Sequence, residues 1–293
     1  MGNTERLHDA AAGLDALPVA EVAALLRDAQ IEAAKSLLNE ETLRAICAGS
    51  EAMAATLRAG GVLWYVGSGA SGMLAAMDAM ELGSTFGVAS ERIRIVMAGG
   101  VPTSPVTSAA SDDDTDEAEA KLSRVSSGDT VIAVAASGGT PFTVKAAEVS
   151  RSRGAAVIGV ANNAGSPLLE ASDHAVLLET PPELVSGSTR MGAGTAQKIA
   201  LNMLSTLMGL RLGHIYDGMM VNMRPGNDKL RHRATRIVGE IGNVSESVAA
   251  AALEDAGDDI KVAAVMVSRG LSVEAADALI KENNGNLRAA LPS

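Results

Sequence analysis

With 293 residues, 47% of them hydrophobic and only 2% aromatic, the chain is long enough for one large domain, or for one large and one small domain. Its formal net charge of -11 argues against a nucleic-acid-binding protein, because nucleic acids attract basic surfaces. The single cysteine, Cys47, cannot form an internal disulfide, which fits a cytoplasmic protein. No signal peptide is indicated, and the longest uncharged run is interrupted by glycines, so no membrane contact is expected.

Residues 1–60 are predicted to form helices that pack on the core of the protein. Apolar residues recur at helical spacing in AEVAALLRDAQIEAAKSLL and again in EETLRAICAGSEAMAATLRAGG. The second stretch ends in a pair of glycines, which suits the C-terminus of a helix.

Residues 61–240 are predicted to form an α/β domain. Five short apolar runs alternate there with helical stretches: VLWYV (62–66), RIRIVMA (92–98), TVIAVAA (130–136), AAVIGVA (155–161) and HAVLLE (174–179). Short apolar runs that are buried on both faces, with helices between them, are typical of a doubly wound and mostly parallel sheet flanked by helices.

No strand is expected after Thr180. The loop PPELVSGSTR leads into a long apolar helix, MGAGTAQKIALNMLSTLMGLRLG, and a further helix is predicted in NDKLRHRATRIVGEIG. Residues 241–293 are predicted to form a small helical subdomain from SESVAAAALEDAG, DIKVAAVMVSRG and SVEAADALIKENNG.

A strand, a loop of glycine and serine, and a helix follow one another twice, with the loops GSGASG and SGGTP. In an open α/β sheet the ends of the strands where such loops lie form the ligand-binding edge. Hydroxyls and backbone N–H groups at helix N-termini hold a phosphate without basic side chains. The candidate phosphate ligands are Ser68, Gly69, Ser71, Ser137, Gly138 and Thr140. Tight turns with helix caps are the alternative, and the presence of two such loops favours ligand binding.

The first loop also matches the dinucleotide pattern G-x-G-x-x-G through Gly67, Gly69 and Gly72. A dinucleotide site needs an acidic residue at the end of the next strand, but that strand ends in VMAGG and Glu91 precedes it. NAD is therefore the less favoured ligand. The four histidines show no metal-ligand spacing, so neither a metal nor another cofactor is expected.

Four segments resemble the N-acetylmuramic acid 6-phosphate etherase family, which has the sugar isomerase (SIS) fold: YVGSGASGMLAAMDAMELGSTFG, IAVAASGGTPF, SGSTRMGAGTAQKIALNMLST and NDKLRHRATRIV. The similarity extends from about Thr4 to Leu291, and GSTRMGAGTAQK is its most specific part. It implies a metal-independent, homodimeric lyase of bacterial cytoplasm that recycles cell-wall sugars. The implied reaction cleaves the D-lactyl ether of N-acetylmuramic acid 6-phosphate, yielding N-acetylglucosamine 6-phosphate and D-lactate. Its implied route removes the proton at C2, expels lactate from C3 and then adds water.

Two acidic residues serve as acid and base in the family, and the resemblance places the first at Glu81. Partial burial would raise the pKa of Glu81 toward that task. The second lies in the altered segment TSAASDDDTDE, where Asp112 stands in place of a glutamate. The shorter side chain displaces the carboxyl by on the order of 1 Å, which costs about a hundredfold in rate. An exposed acidic loop that leads into a helix explains Asp112 to Glu119 equally well.

The resemblance adds Glu183, Ser188 and Arg190 as candidates for substrate binding, although a salt bridge in the loop explains Glu183 as well. Several other family residues are replaced, at Met73 and Gly139 (Arg in the family), Phe142 (Tyr), Gly192 (Lys) and 82–84 (Cys-Pro-Pro). Most lost groups are cations or hydrogen-bond donors, so the recognition surface is expected to differ while the scaffold is kept.

Two other functions remain open for the same fold. A phosphosugar isomerase would need a group that opens the sugar ring, and the sequence places no histidine for this task. A non-catalytic sugar-phosphate sensor is favoured by the loss of the second glutamate and of the arginines, and is opposed by the presence of Glu81.

Overall fold

The computed structural model describes residues 2–104 and 109–292. By compactness the chain divides into a first unit, Met1–Ala79 with Glu91–Ser205, and a second unit, Met80–Ser90 with Thr206–Ser293. The division expected from the sequence, at residues 60 and 240, stays a prediction. None of the helices in the described ranges is both long and apolar enough to cross a membrane.

The helices and strands are as follows. The helices are α1 (Val19–Ala34), α2 (Glu40–Arg58), α3 (Gly69–Phe86), α4 (Thr115–Lys121), α5 (Pro141–Ser152), α6 (Pro167–Glu170), α7 (Gly192–Arg211), α8 (Asp228–Gly242), α9 (Glu246–Asp255), α10 (Ile260–Arg269), α11 (Val273–Glu282) and α12 (Leu287–Ala290). The strands are β1 (Leu63–Gly67), β2 (Ile93–Met97), β3 (Thr130–Val134), β4 (Ala156–Ala161), β5 (His174–Leu177), β6 (Ile215–Tyr216) and β7 (Met219–Met220).

The first unit is built on a five-stranded sheet in the order β2-β1-β3-β4-β5, in which every neighbouring pair is parallel. Its strands occupy the five apolar runs of the sequence, and every residue of β1 and β3 is buried. The predicted α/β class and parallel sheet are therefore confirmed. The strand order reverses direction between β1 and β3, which is the switch point where such sheets bind ligands.

A buried carboxylate ties α3 and α7 to strand β1. Asp78 is only 3% exposed and accepts hydrogen bonds from the Tyr65 hydroxyl at 3.0 Å, the Asn202 amide at 2.8 Å and the Ser205 hydroxyl at 3.0 Å. Burial, followed by the Asp78 charge, raises the pKa of Tyr65 well above its ordinary value. Three donors compensate for burying the Asp78 charge, so this cluster fixes the middle of α3 against β1.

In the second unit, helices α8 to α12 surround an apolar core, and the helical C-terminal region is confirmed. Two elements differ from the expectation. A short antiparallel hairpin, β6 and β7, follows Thr180, and its turn residues Asp217 and Gly218 both have positive φ. The additional helix α12 is fixed to this hairpin, because Arg288 stacks on the Tyr216 ring at 4.5 Å and pairs with Asp217.

Lys261 gives the second unit a predictable dependence on pH. It is 5% exposed, donates a hydrogen bond to the Gly285 carbonyl at 2.8 Å, and burial lowers its pKa to about 8. Between about pH 8 and pH 10 the Lys261 ammonium keeps its proton in the unfolded chain and releases it in the folded chain. The free energy of unfolding therefore increases with pH in this range.

Denaturant unfolding of the wild type and of Lys261→Met should show this effect. In that window the free energy of unfolding of the wild type should rise, relative to that of the variant, by at most about 1.4 kcal/mol per pH unit. The variant has no proton to release at this position. A difference between the two proteins that is independent of pH would contradict the assignment to Lys261.

Candidate active site

The first serine loop joins β1 to α3 by a very close backbone approach. The Gly72 N–H donates to the Ser68 carbonyl at 2.8 Å, and Ser68 is buried. A Cβ atom on Gly67 would lie 2.8 Å from the Gly72 Cα and 2.9 Å from the Val134 carbonyl oxygen. Packing of strand against helix therefore requires glycine at 67 and 72, without any dinucleotide. Nothing lies within 4 Å of a Cβ placed on Gly69, so the loop faces open space.

The second serine loop joins β3 to α5. Gly138 has a φ of +66°, and a Cβ there would lie 2.1 Å from the Ser166 Oγ, so the site requires glycine. The Gly139 N–H donates to the Ser137 hydroxyl at 3.1 Å, which leaves the hydroxyl hydrogen of Ser137 for another acceptor. Thr140 precedes Pro141 at the helix start, and its side chain does not cap the helix.

The structure brings the two loops together. The last residues of β1 and β3, Gly67 and Val134, are directly paired, so the loops leave the same edge of the sheet side by side. This edge is also where the strand order reverses. The N-termini of α3 and α5 both begin there, which favours an anion. Binding of a phosphate by Ser68, Gly69, Ser71, Ser137, Gly138 and Thr140 stays a prediction, and the geometry is consistent with it.

Asp112 lies against the first loop. It belongs to the short 3₁₀ turn Ala109–Asp113 between β2 and α4, and its carboxylate is hydrogen-bonded to the Ser68 side chain. Partial burial is the largest effect and raises the pKa of Asp112; the hydrogen bond with Ser68 lowers it and the Asp113 charge raises it. Asp112 thus sits beside a candidate phosphate ligand.

Other residues of the acidic segment stabilise the local structure. Asp114 caps α4 by accepting from the Glu117 N–H at 2.8 Å. Glu117 in turn accepts from the Gly99 N–H at 3.1 Å and pairs with Lys121 at 2.7 Å. The sequence interpretation of an acidic loop leading into a helix therefore describes these residues, whereas Asp112 points to the serine loop.

Replacing Asp112 by asparagine is expected to strengthen binding of inorganic phosphate about fivefold, because one negative charge beside Ser68 is removed, a gain on the order of 1 kcal/mol. If Asp112 also acts as the second catalytic acid, turnover falls at the same time. Binding to the wild type should approach that of the variant as pH falls toward the raised pKa of Asp112.

Calorimetric titration of both proteins with phosphate at several pH values measures this difference, and the phosphate ion's own titration cancels in the comparison. Asp113→Asn is the matched control, since Asp113 is an exposed neighbour of the same charge. Weaker binding by Asp112→Asn than by Asp113→Asn would show that Asp112 helps to hold the ligand.

Glu81 lies on α3 and is exposed, with its carbonyl accepting a hydrogen bond from the Ser84 hydroxyl at 3.2 Å. The partial burial expected from its apolar neighbours is therefore wrong for the single chain, because Met77 and Met80 beside it on the helix are themselves exposed. The catalytic role of Glu81 stays a prediction.

Glu183 is placed by the structure at the start of α7. It is 5% exposed, and its two carboxylate oxygens accept from the N–H groups of Gly192 and Ala193, each at 2.9 Å. A carboxylate in this position caps the helix and complements its dipole. Ser188 is half-buried and Arg190 exposed in the same segment, and their part in substrate binding stays a prediction.

The residues that depart from the family pattern have different surroundings. Met73 is 48% exposed and Gly139 is exposed, so both can change a recognition surface. Phe142 is fully buried in the apolar core of the first unit, so the expectation that this change alters the surface is wrong. The Gly192 N–H is used by Glu183.

A buried polar cluster at the same sheet edge was not predicted. The Gln197 amide donates to Asn162 Oδ1 at 2.9 Å, and the Asn162 amide donates to the Leu178 carbonyl at 3.1 Å and the Thr180 hydroxyl at 3.3 Å. The detectable signal was an amide directly after the β4 run. Within residues 2–104 and 109–292, no cluster of metal-ligating side chains is found.

Comparison with known proteins agrees with this architecture. A family model described as SIS domain matches residues 28–162. An N-acetylmuramic acid 6-phosphate etherase of Deinococcus radiodurans is 40% identical over 290 residues, which is 98% of this chain and 94% of that protein. The chain belongs to the N-acetylmuramic acid 6-phosphate etherase family.

A second relative from the etherase family, in Symbiobacterium thermophilum, is 44% identical over 237 residues, covering 80% of this chain and 79% of that protein.

Among solved structures, a ligand complex of a protein from E. coli strain CFT073 superposes with a TM-score of 0.50 at 16% identity, over 66% of this chain and 93% of that one. The solved structure supports the fold alone, and the etherase relatives confirm the resemblance that the four sequence segments suggested.

Proposed function

We propose that this etherase-family chain is a phosphosugar lyase that cleaves the D-lactyl ether of N-acetylmuramic acid 6-phosphate to N-acetylglucosamine 6-phosphate and D-lactate. The observation that carries the proposal is similarity to etherases over 98% of the chain. The pairing of two serine loops at the switch point of the sheet supports it independently. The enzyme would act in the cytoplasm on cell-wall sugars during their recycling, and its lone thiol, Cys47, is free.

The phosphate of the substrate would bind at the paired loops. The hydroxyls of Ser71, Ser137 and Thr140 supply donors, and Ser68 would supply another once the phosphate replaces Asp112 as the acceptor of its hydroxyl. The N-termini of α3 and α5 supply backbone N–H groups and a favourable dipole. This arrangement suits a phosphate monoester on a chain whose net charge is negative, because the binding groups are uncharged.

The proposed chemistry is an elimination followed by a hydration. A carboxylate, for which Asp112 is the candidate, takes the C2 proton. The electron pair of the broken C2–H bond then forms the C2–C3 double bond. The C3–O bond breaks and Glu81 gives a proton to the leaving lactate oxygen. Glu81 then takes a proton from water as the hydroxyl adds to C3, and C2 regains a proton. The net change is addition of one water across the ether.

The enzyme is proposed to be a homodimer. Three methionines on one face of α3, Met73, Met77 and Met80, are 48%, 40% and 60% exposed, and Glu81 borders them. A second copy on this face would bury the methionines and cover Glu81. Light scattering should give twice the chain mass for the wild type and the chain mass for Met77→Lys; a monomeric wild type would refute this part.

Solvent labelling tests the reaction itself. In water labelled with heavy oxygen, the elimination route places the label on C3 of the sugar, whereas attack on the lactyl carbon places it in lactate. In deuterium oxide the product should carry deuterium at C2. Deuterium exchange without D-lactate would indicate an isomerase, and binding without any conversion would indicate a sugar-phosphate sensor.

A further inference from the structure

The second serine loop is tied to the beginning of the chain through Asn163, which follows β4. The Asn163 amide donates to the Ser137 carbonyl at 3.1 Å and to the Thr4 hydroxyl at 2.9 Å. The Asn163 side-chain oxygen accepts from the Thr4 N–H at 3.3 Å. One side chain thus uses both amide hydrogens and its oxygen to join a loop residue to a residue far away in sequence.

The segment around Thr4, Asn3–Glu5, forms a short 3₁₀ turn that we call the strap. Thr4 is 3% exposed, and a Cβ on Gly2 would lie 2.4 Å from the Asn163 amide nitrogen, so the strap is packed closely on Asn163. The Asn3 amide reaches the Thr180 carbonyl just after β5, at 3.5 Å. The strap therefore lies along the edge from which the serine loops leave.

These contacts determine where the Ser137 hydroxyl stands. Asn163 holds the Ser137 carbonyl, and the Gly139 N–H holds the Ser137 hydroxyl at 3.1 Å. Gly138, which lies between Ser137 and Gly139, has a left-handed φ of +66° that the loop must keep. Releasing Asn163 from Thr4 would allow its amide to rotate, and the Ser137 carbonyl would lose its fixed donor.

We propose that the strap is a positioning element for phosphate binding: Thr4, acting through Asn163, holds the second serine loop in the conformation that receives a phosphate monoester. The proposal rests on the proposed function only in taking a phosphate as the ligand of these loops. Thr4 and Asn163 are positioning residues, because their side chains are engaged with each other and with backbone.

Thr4→Val, which keeps the shape and removes the hydroxyl acceptor, tests the proposal with inorganic phosphate as the probe. The loss of one buried hydrogen bond should weaken phosphate binding about tenfold. The KM for the sugar phosphate should rise similarly while kcat stays within about twofold, because the loop contributes to ground-state binding. Thr4→Ser, which keeps the hydroxyl, should bind as the wild type does.

Thr56→Val is the matched control. Thr56 is also a buried threonine, and its hydroxyl pairs with Thr130 at 2.7 Å at the opposite end of β3. The Thr56→Val variant should have a lower melting temperature than the wild type and the same affinity for phosphate. If Thr4→Val does not fold, Asn163→Ala replaces it and should show the same loss of affinity.

A double variant closes the test. Thr4→Val combined with Asn163→Ala should bind phosphate no more weakly than Asn163→Ala alone. Both changes break the same connection, which runs from Thr4 through Asn163 to the second serine loop. Wild-type phosphate affinity in folded Thr4→Val, or full additivity in the double variant, would overturn the proposal. Failure of the lyase function would show as absent D-lactate, which is separate from this phosphate-binding readout.

Discussion

The Glu81→Gln variant should release D-lactate at least about a thousandfold more slowly than the wild type, because the amide can neither give a proton to the leaving oxygen nor take one from water. The change is nearly isosteric, and the side chain is exposed in the single chain, so folding should be unaffected. Phosphate binding should stay within about twofold of the wild type, since Glu81 is proposed to act on the ether and not on the phosphate.

Glu91→Gln is the matched control, because Glu91 is likewise an exposed glutamate and is not part of the proposed chemistry. It should retain full turnover. If Glu81→Gln releases lactate as fast as Glu91→Gln, the assignment of the acid and base is wrong. If Glu81→Gln loses phosphate binding together with turnover, Glu81 supports the fold or the dimer and not the chemistry.

The Gly67→Ala variant should lose phosphate binding and about 2 kcal/mol or more of its free energy of unfolding. The added methyl would stand 2.8 Å from the Gly72 Cα and 2.9 Å from the Val134 carbonyl oxygen, and backbone atoms cannot move aside cheaply. Separating β1 from α3 would shift Ser68 and the N-terminus of α3 together. Gly72→Ala should act in the same way, because its methyl would meet the Gly67 backbone at 2.8 Å.

Gly139→Ala gives the control for this steric argument. The nearest atom to a Cβ at Gly139 is the Ser137 Oγ at 4.0 Å, so a methyl fits without displacement. Urea unfolding and phosphate titration of the three variants measure both effects. Equal behaviour of Gly67→Ala and Gly139→Ala would contradict the close-packing explanation of the glycine pattern.

The sheet was predictable because its information is local. Each strand is a short and mostly apolar run, every residue of β1 and β3 is buried, and this composition is visible in the sequence. The β6–β7 hairpin was missed because its strands have only two residues each, although the Asp217-Gly218 pair is a recognisable turn signal.

The candidate site divides in the same way. Serines in both loops could be identified from the residues next to each strand. The contacts that support those loops could not be identified from the sequence, because Asn163 and Thr4 are separated by 159 residues, and Asp78 and Asn202 by 124. Glu183 illustrates a further limit, since a buried carboxylate that caps α7 has the same sequence pattern as one that faces a ligand.

Release of D-lactate from N-acetylmuramic acid 6-phosphate by the purified wild-type enzyme, without added metal, tests the central claim most directly. We expect D-lactate and N-acetylglucosamine 6-phosphate to form in equal amounts, with the Glu81→Gln protein inactive beside it. Tight binding of the sugar phosphate with no lactate from the wild type would contradict the lyase function, and would leave a phosphate-binding fold whose chemistry has been lost or changed.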